Sequence, residues 1–522
     1  MKWTTLLLLS ASGMAASAAL VWTAVDSGGG ARASEPAAQR SEPRPERPHR
    51  PHPADDRSQF RAGGTLEMEG RLGHAVLPAA SDSDTYLYVD VNAATTARAA
   101  VQAPLNLAIV MDRSGSMKGK RLANALAAAR SAVQRLRDGD VVSVVTYNTA
   151  ADVTVSPTVM SSATRGHLLD RLARTRAAGD TCISCGVEAG MRMLGQRSNM
   201  VSRILLLSDG EATAGVRDVD GFRRVAEDCR RMGASITTIG VDVDYNERIM
   251  AALARDSNGR HFFVENPTGL PAIFDQEMES LARTVANRAE LTVDLSPGVT
   301  AEQVYDRASV TSGSQLVVPL GAFADRDHKT LLVRLRVPRG AAGARPVAAV
   351  RLRYDDLTRG AAGASEGTLI ARQSDDASEV GPLDGLVSAR VSSSETVSAL
   401  EEANELIREG RADDARRLVR DRGGVIADTR RAAKHSAPAQ RAADLDAAFD
   451  KQEKALAEAG GDFAQPPPAA TTAPAGNTGG AGAATAAEPA RPAPADDEVG
   501  RGERAKKVRI RSNQKDAFDL GE

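Results

Sequence analysis

The sequence predicts an α/β protein: a doubly wound, mostly parallel sheet inserted in a β-sandwich, followed by a helical segment and a disordered tail. Three observations carry that expectation. Apolar runs alternate with amphipathic helical stretches from 105 to 287, the signature of an α/β layer fold. Period-two segments flank that stretch in 63–104 and 288–375, so two halves of one β domain enclose the α/β unit. Residues 383–459 then take a helical period, and much of 460–522 is Ala, Pro and Gly, a composition that builds no packed core.

The elements follow in order. "TLEMEG" and "TYLYVDV" alternate apolar and polar and read as strands. "LNLAIVMD", "VVSVVTY", "RILLLSD", "SITTIGV" and "HFFVE" are the strands of the α/β unit, with "DVTV" placed to form a hairpin with "VVSVVTY". The helices between them begin with "KRLANALAAARSAVQRLRD", whose Leu122, Leu126, Ala129, Val133 and Leu136 share about one face. "RGHLLDRLART", "CGVEAGMRMLGQ", "DGFRRVAEDCRRMG", "NERIMAALARDS" and "LPAIFDQEMESLARTVA" complete the set. "AELTVDL", "SQLVVPLG", "KTLLVRLRVP", "VAAVRLRYDDL" and "GTLIARQ" return to period two as sandwich strands. "ALEEANELIREGRADDARRLV" predicts a helix–turn–helix with Gly410 at the turn. The basic run "RGERAKKVRIRS" near the end reads as a solvated tail, with an envelope or partner contact as the alternative.

Residues 1–33 combine Lys2, a long apolar run and "ARA" before Ser34. They read as a cleaved signal peptide or an uncleaved N-terminal anchor, and either exports the rest to the periplasm, cell envelope or extracellular space. Residues 34–62 are a disordered Pro-rich linker. The net charge of −2 sets up no global field toward nucleic acid. Aromatics at 3 % argue against a base-stacking surface.

The informative stretch is "LNLAIVMDRSGSM" at 105–117. An apolar strand ends in Asp112, Ser114 and Ser116, three oxygen donors at alternating positions. Ligands of open α/β sheets sit beyond the carboxyl ends of strands. A second strand ends there in Asp209, and the loop "AAGDTCISCG" supplies Thr181. Two carboxylates and three hydroxyls make an all-oxygen set of low charge. It suits Mg²⁺, which takes oxygen ligands with only one or two carboxylates and keeps waters, and Mn²⁺ can substitute.

"DRSGSM", the Thr of "GDTCISCG" and the Asp of "LLSDGE" resemble the metal-ion-dependent adhesion site of von Willebrand factor A-type domains. The likeness spans roughly 105–287, a Rossmann-type domain, and is similar to bacterial secreted members and to inter-alpha-trypsin inhibitor heavy chains. It implies that Ser114 and Ser116 ligate the ion directly and Thr181 directly or through water. Asp112 and Asp209 then act mostly through waters. It also implies a protein ligand that presents an Asp or Glu, and helices that shift when the ligand arrives. The chain departs from the pattern at Asp180, where a small residue is usual, and in the cysteines of "CISC".

Three cysteines form no disulfide framework. Cys182 and Cys185 are spaced for a local disulfide or remain thiols. "DRSGSM" and "LLSDGE" lack the Gly-x-Ser-x-Gly elbow, the sequence carries no phosphate loop of the Gly-Lys-Ser/Thr type, and its histidines are scattered. The reading is a non-enzymatic, exported, metal-dependent binding module. Its rivals are a structural envelope subunit with a fold-stabilising metal, and a redox or hydrolytic protein using Cys182/Cys185 or the metal.

Overall fold

The structure is a computed structural model, and it describes residues 57–93, 103–197, 200–242, 245–437, 441–463 and 496–521. The expected signal or anchor, most of the linker and residues 464–495 of the tail lie outside these.

Strands β1 (Gln59–Gly63), β2 (Leu66–Leu72), β3 (Val76–Pro78) and β4 (Ser83–Ala93) precede the α/β unit. β1 corrects the linker expectation, which ran to 62. It pairs antiparallel with β2, Gln59 opposite Arg71, and Phe60 packs on the sandwich core. Its own sequence has one apolar anchor, so only the pairing with β2 makes it a strand.

The α/β unit runs β5 (Leu105–Asp112), α1 (Lys120–Arg135), β6 (Val141–Tyr147), β7 (Ala151–Val159), α2 (Ser162–Leu172), α3 (Ile183–Leu194), β8 (Val201–Ser208), α4 (Val219–Arg231), β9 (Ala234–Val241), α5 (Glu247–Asp256), β10 (His261–Val264) and α6 (Leu270–Ala282). The sheet order is β10-β9-β8-β5-β6-β7. All neighbours are parallel except the hairpin strand β7, which lies antiparallel at the edge. β5, β8 and β9 are buried at every position, as strands covered on both faces must be. Helices α1, α2 and α6 pack on one face, and α3, α4 and α5 on the other.

The chain then forms β11 (Thr284–Leu295), β12 (Thr300–Tyr305), β13 (Val310–Ser312), β14 (Gln315–Ala324), β15 (His328–Val337), β16 (Gly343–Asp356) and β17 (Ala361–Ser374). The helix expected through Ala286 stops at Ala282, because Thr284 and the residues after it enter β11, with Thr284 opposite Ala324. The two sandwich sheets are β1-β2-β4-β15-β12 and β13-β14-β11-β16-β17-β3. β4 pairs with β15, Val89 opposite Leu331, and β3 with β17, Leu77 opposite Gln373. Strands from both sides of the α/β unit thus share one core.

Helices α7 (Gly385–Arg408), α8 (Ala412–Ser436), α9 (Ala442–Phe463) and α10 (Asp496–Gly521) close the chain. Gly410, at φ +81°, makes the α7–α8 turn in the left-handed region that glycine enters freely. α10 corrects the expectation of a disordered, solvated tail. Ile510, Arg511, Asn513, Ala517, Phe518 and Leu520 are buried. Arg390 and Ser393 of α7 donate to the Leu520 carbonyl at the open end of α10, satisfying an acceptor the helix itself leaves unpaired. No described helix is long and apolar enough to cross a membrane.

Candidate metal centre

β5 and β8 are parallel neighbours with Met111 opposite Leu207, so both deliver their last residues to one edge of the sheet. Asp112 is fully buried there. Its carboxylate accepts from the Ser114 amide at 2.7 Å and from Ser208 Oγ at 3.0 Å. Ser114 Oγ lies 3.0 Å from Ser116 Oγ, and Ser116 Oγ donates to Asp209 Oδ1 at 2.8 Å. Four of the five expected residues therefore form one hydrogen-bonded group.

Thr181 joins from a third loop. A Cβ built on Gly210 would stand 3.7 Å from Ser116 Oγ and 3.8 Å from Thr181 Oγ1, so both hydroxyls border the same spot. The loop is held firmly. The Thr181 amide donates to Thr213 Oγ1 at 2.9 Å, and the Thr213 amide returns a bond to the Thr181 carbonyl at 2.9 Å. Cys182 and Cys185 form a disulfide, Cα–Cα 5.3 Å, at the start of α3. Gly215 packs over it at φ +71°, where a Cβ would lie 2.6 Å from Cys182 Sγ. Asp180 is exposed. Cys229 is a buried thiol whose pKa burial pushes up to about 12.

The electrostatics ask for a cation. Burial, with the Asp209 charge adding to it, pushes the Asp112 carboxyl up to about 6, although the Ser114 and Ser208 hydrogen bonds oppose the shift. Burial also raises Asp209, against the bonds from Ser116 and Arg121. A divalent ion beside them would offset the cost of two buried negative charges. Among the described residues no group of three His, Cys, Asp or Glu could hold a metal. A site here must use hydroxyls, and the all-oxygen set fits a hard ion.

Sequence reasoning missed Ser208, Arg121 and Asp242. Arg121 Nη1 sits 3.1 Å from Asp209 Oδ2, and its Nη2 pairs with Asp242. Ser208 was visible as the residue before Asp209. Arg121 and Asp242 meet only because α1 and β9 flank β5 and β8.

The family model of the von Willebrand factor type A domain matches residues 106–276. The chain carries a von Willebrand factor type A domain. The uncharacterized protein sll0103 of Synechocystis is 26 % identical over 269 residues, which are 49 % of this chain and 63 % of that protein. Inter-alpha-trypsin inhibitor heavy chain H2 of Mus musculus is 26 % identical over 166 residues, 30 % of this chain and 17 % of the heavy chain. The chain thus spans less than two thirds of either relative. The von Willebrand factor type A structure from Catenulispora acidiphila shares the fold, with a TM-score of 0.59 at 17 % identity over 70 % of this chain and 88 % of that one. In this A domain, the five oxygen-bearing residues sit at the carboxyl edge of the central strands.

Proposed function

We propose that this protein is an exported, metal-dependent protein-binding module that captures a carboxylate of its partner. Asp112, Ser114, Ser116, Thr181 and Asp209 would hold Mg²⁺ or Mn²⁺. The reading is carried by the side-chain chain from Ser114 through Ser116 to Asp209, with Thr181 beside it. An ion held by neutral hydroxyls keeps much of its charge and attracts an acidic side chain of another molecule. Binding rather than catalysis fits this set, because each carboxylate is engaged by hydroxyl, amide or guanidinium donors. Of the cysteine pair, Cys182 is buried and Cys185 half-buried, so a redox role would have to begin with attack at the Cys185 sulfur.

The test is calorimetry of the purified protein with Mg²⁺ and Mn²⁺, followed by capture from envelope extract with and without EDTA. Ser114→Ala and Asp112→Ala should lose metal binding while retaining the fold. A partner captured in Mg²⁺ should be released by EDTA and by Asp209→Ala, but not by Cys185→Ser. Metal binding unchanged in both alanine variants would refute the site.

A further inference from the structure

A cleft of about 580 Å³ opens beside the metal loop, between the β6–β7 edge of the sheet and α2 with the turn after it. Its lining carries Arg113, Arg171, Arg174 and Arg176 against Asp152 and Asp170. The balance is two net positive charges (four minus two) in a chain whose net charge is −2. Arg176 is spent on the carbonyls of Ala173 and Thr175. Arg171 and Arg174 are exposed, and their guanidiniums meet no carboxylate among the described residues. Two further donors are buried without a hydrogen-bond partner: Arg113 Nε and Thr175 Oγ1, the latter on a residue only 8 % exposed. Unsatisfied buried donors are uncommon and call for a ligand or water.

The cleft and the metal loop share Arg113. Its amide donates to the Tyr147 carbonyl and its carbonyl accepts from Ala178, both at 2.8 Å, so its backbone belongs to the metal loop. Its side chain lines the cleft.

We infer that this cleft binds an acidic peptide segment of the partner, flanking the carboxylate that reaches the metal. The inference rests on the metal-mediated reading above. Guanidinium pairs carboxylate bidentately. Val153 and Thr154 of the edge strand β7 offer apolar and hydroxyl contact along one wall. Asp152 and Asp170 repel a polymer charged at every unit, such as polyphosphate, but tolerate a peptide whose acidic side chains alternate with neutral ones. The volume suits a few residues of extended chain.

The experiment is fluorescence anisotropy on the full chain with a labelled decapeptide of alternating Glu and Gly, in Mg²⁺ and in EDTA, with inorganic polyphosphate and a Lys–Gly peptide as controls. Wild type should bind the Glu peptide and not the Lys peptide. R171E/R174E should weaken that binding by about tenfold or more, and R171Q/R174Q by less, with Mg²⁺ calorimetry and circular dichroism unchanged. Equal affinity in wild type and R171E/R174E would overturn the cleft. Polyphosphate binding tighter than the peptide, and lost in R171E/R174E, would overturn the peptide assignment. Wild-type affinity that ignores EDTA but falls in R171E/R174E would sink the metal reading and leave the cleft standing.

Discussion

Arg121 Nη1 lies 3.1 Å from Asp209 Oδ2, and the same guanidinium pairs with Asp242. Asp242 in turn accepts Arg504 of α10 at 2.8 Å. A cation therefore stands beside one of the proposed metal carboxylates and connects it to the C-terminal helix.

Removing that charge should help a divalent ion. Arg121→Gln is expected to raise Mg²⁺ affinity about three- to tenfold, the effect of about 1 kcal/mol of relieved repulsion at a partly exposed site. Titration calorimetry of wild type and variant at fixed ionic strength measures it. An affinity that falls instead would make Arg121 an organiser of Asp209 rather than a competitor of the metal.

His261 is buried between Thr238 Oγ1 at 2.8 Å and the Tyr245 hydroxyl at 3.3 Å, and burial lowers its pKa to about 3. The fold holds it neutral, whereas the unfolded chain protonates it near pH 6.5. Stability is therefore fully present above pH 6.5 and is lost as pH falls toward 3, where the unfolded chain binds the extra proton. We expect about 2 kcal/mol to go between pH 6.5 and 5. His261→Gln should flatten that part of a urea-midpoint profile. Parallel profiles for the two proteins would show that other groups govern the acid limb.

Gly215→Ala should destabilise the α/β unit by about 1–3 kcal/mol, through the left-handed backbone and the clash with Ser184 and Cys182. The same loop carries Thr213 and Ala214, whose amides hold the Thr181 carbonyl. Metal affinity should weaken along with the melting temperature. Gly424→Ala, in open space inside α8, is the control that should leave metal affinity unchanged and, if anything, raise the melting temperature, since alanine favours a helix interior over glycine by about 0.5–1 kcal/mol.

Arg511 donates to the Tyr245 carbonyl at 2.7 Å, pairs with Glu247 at 3.2 Å and stacks over the Tyr245 ring. Glu247 also pairs with Arg408 of α7. Arg511→Ala leaves part of that buried charge uncompensated and should cost about 3 kcal/mol in the docking of α10. Hydrogen exchange should then rise in α10 and α5, while the sandwich strands keep their protection. Uniform loss of protection would mean that α10 docking and global folding are one transition.

The strands and helices of the α/β unit were legible because their signal is local. Period two and period 3.6 are written in consecutive residues, as in the face shared by Leu122, Leu126, Ala129 and Val133. Asp112, Ser114 and Ser116 were legible for the same reason: they follow an apolar run within five residues. Sandwich strands before and after the unit could be read as halves of one domain, but not which strand met which. β1 was invisible, since a segment with one aromatic anchor becomes a strand only against β2.

What the sequence determined by itself, then, was the element order and the oxygen donors at strand ends, because backbone periodicity and turn chemistry act over a few residues. Only the tertiary structure decided that β8 lies against β5. That neighbourhood brings Ser116 to Asp209 across 93 positions and puts Arg121 on the same carboxylate across 88. It alone also decided that a polar, arginine-bearing tail folds as α10. The partners of Arg511 and Asn513 stand 266 and 109 residues away in the chain, at Tyr245 and Asn404. A buried polar residue is tolerated only once its partner is in place, and no local pattern announces a partner that distant.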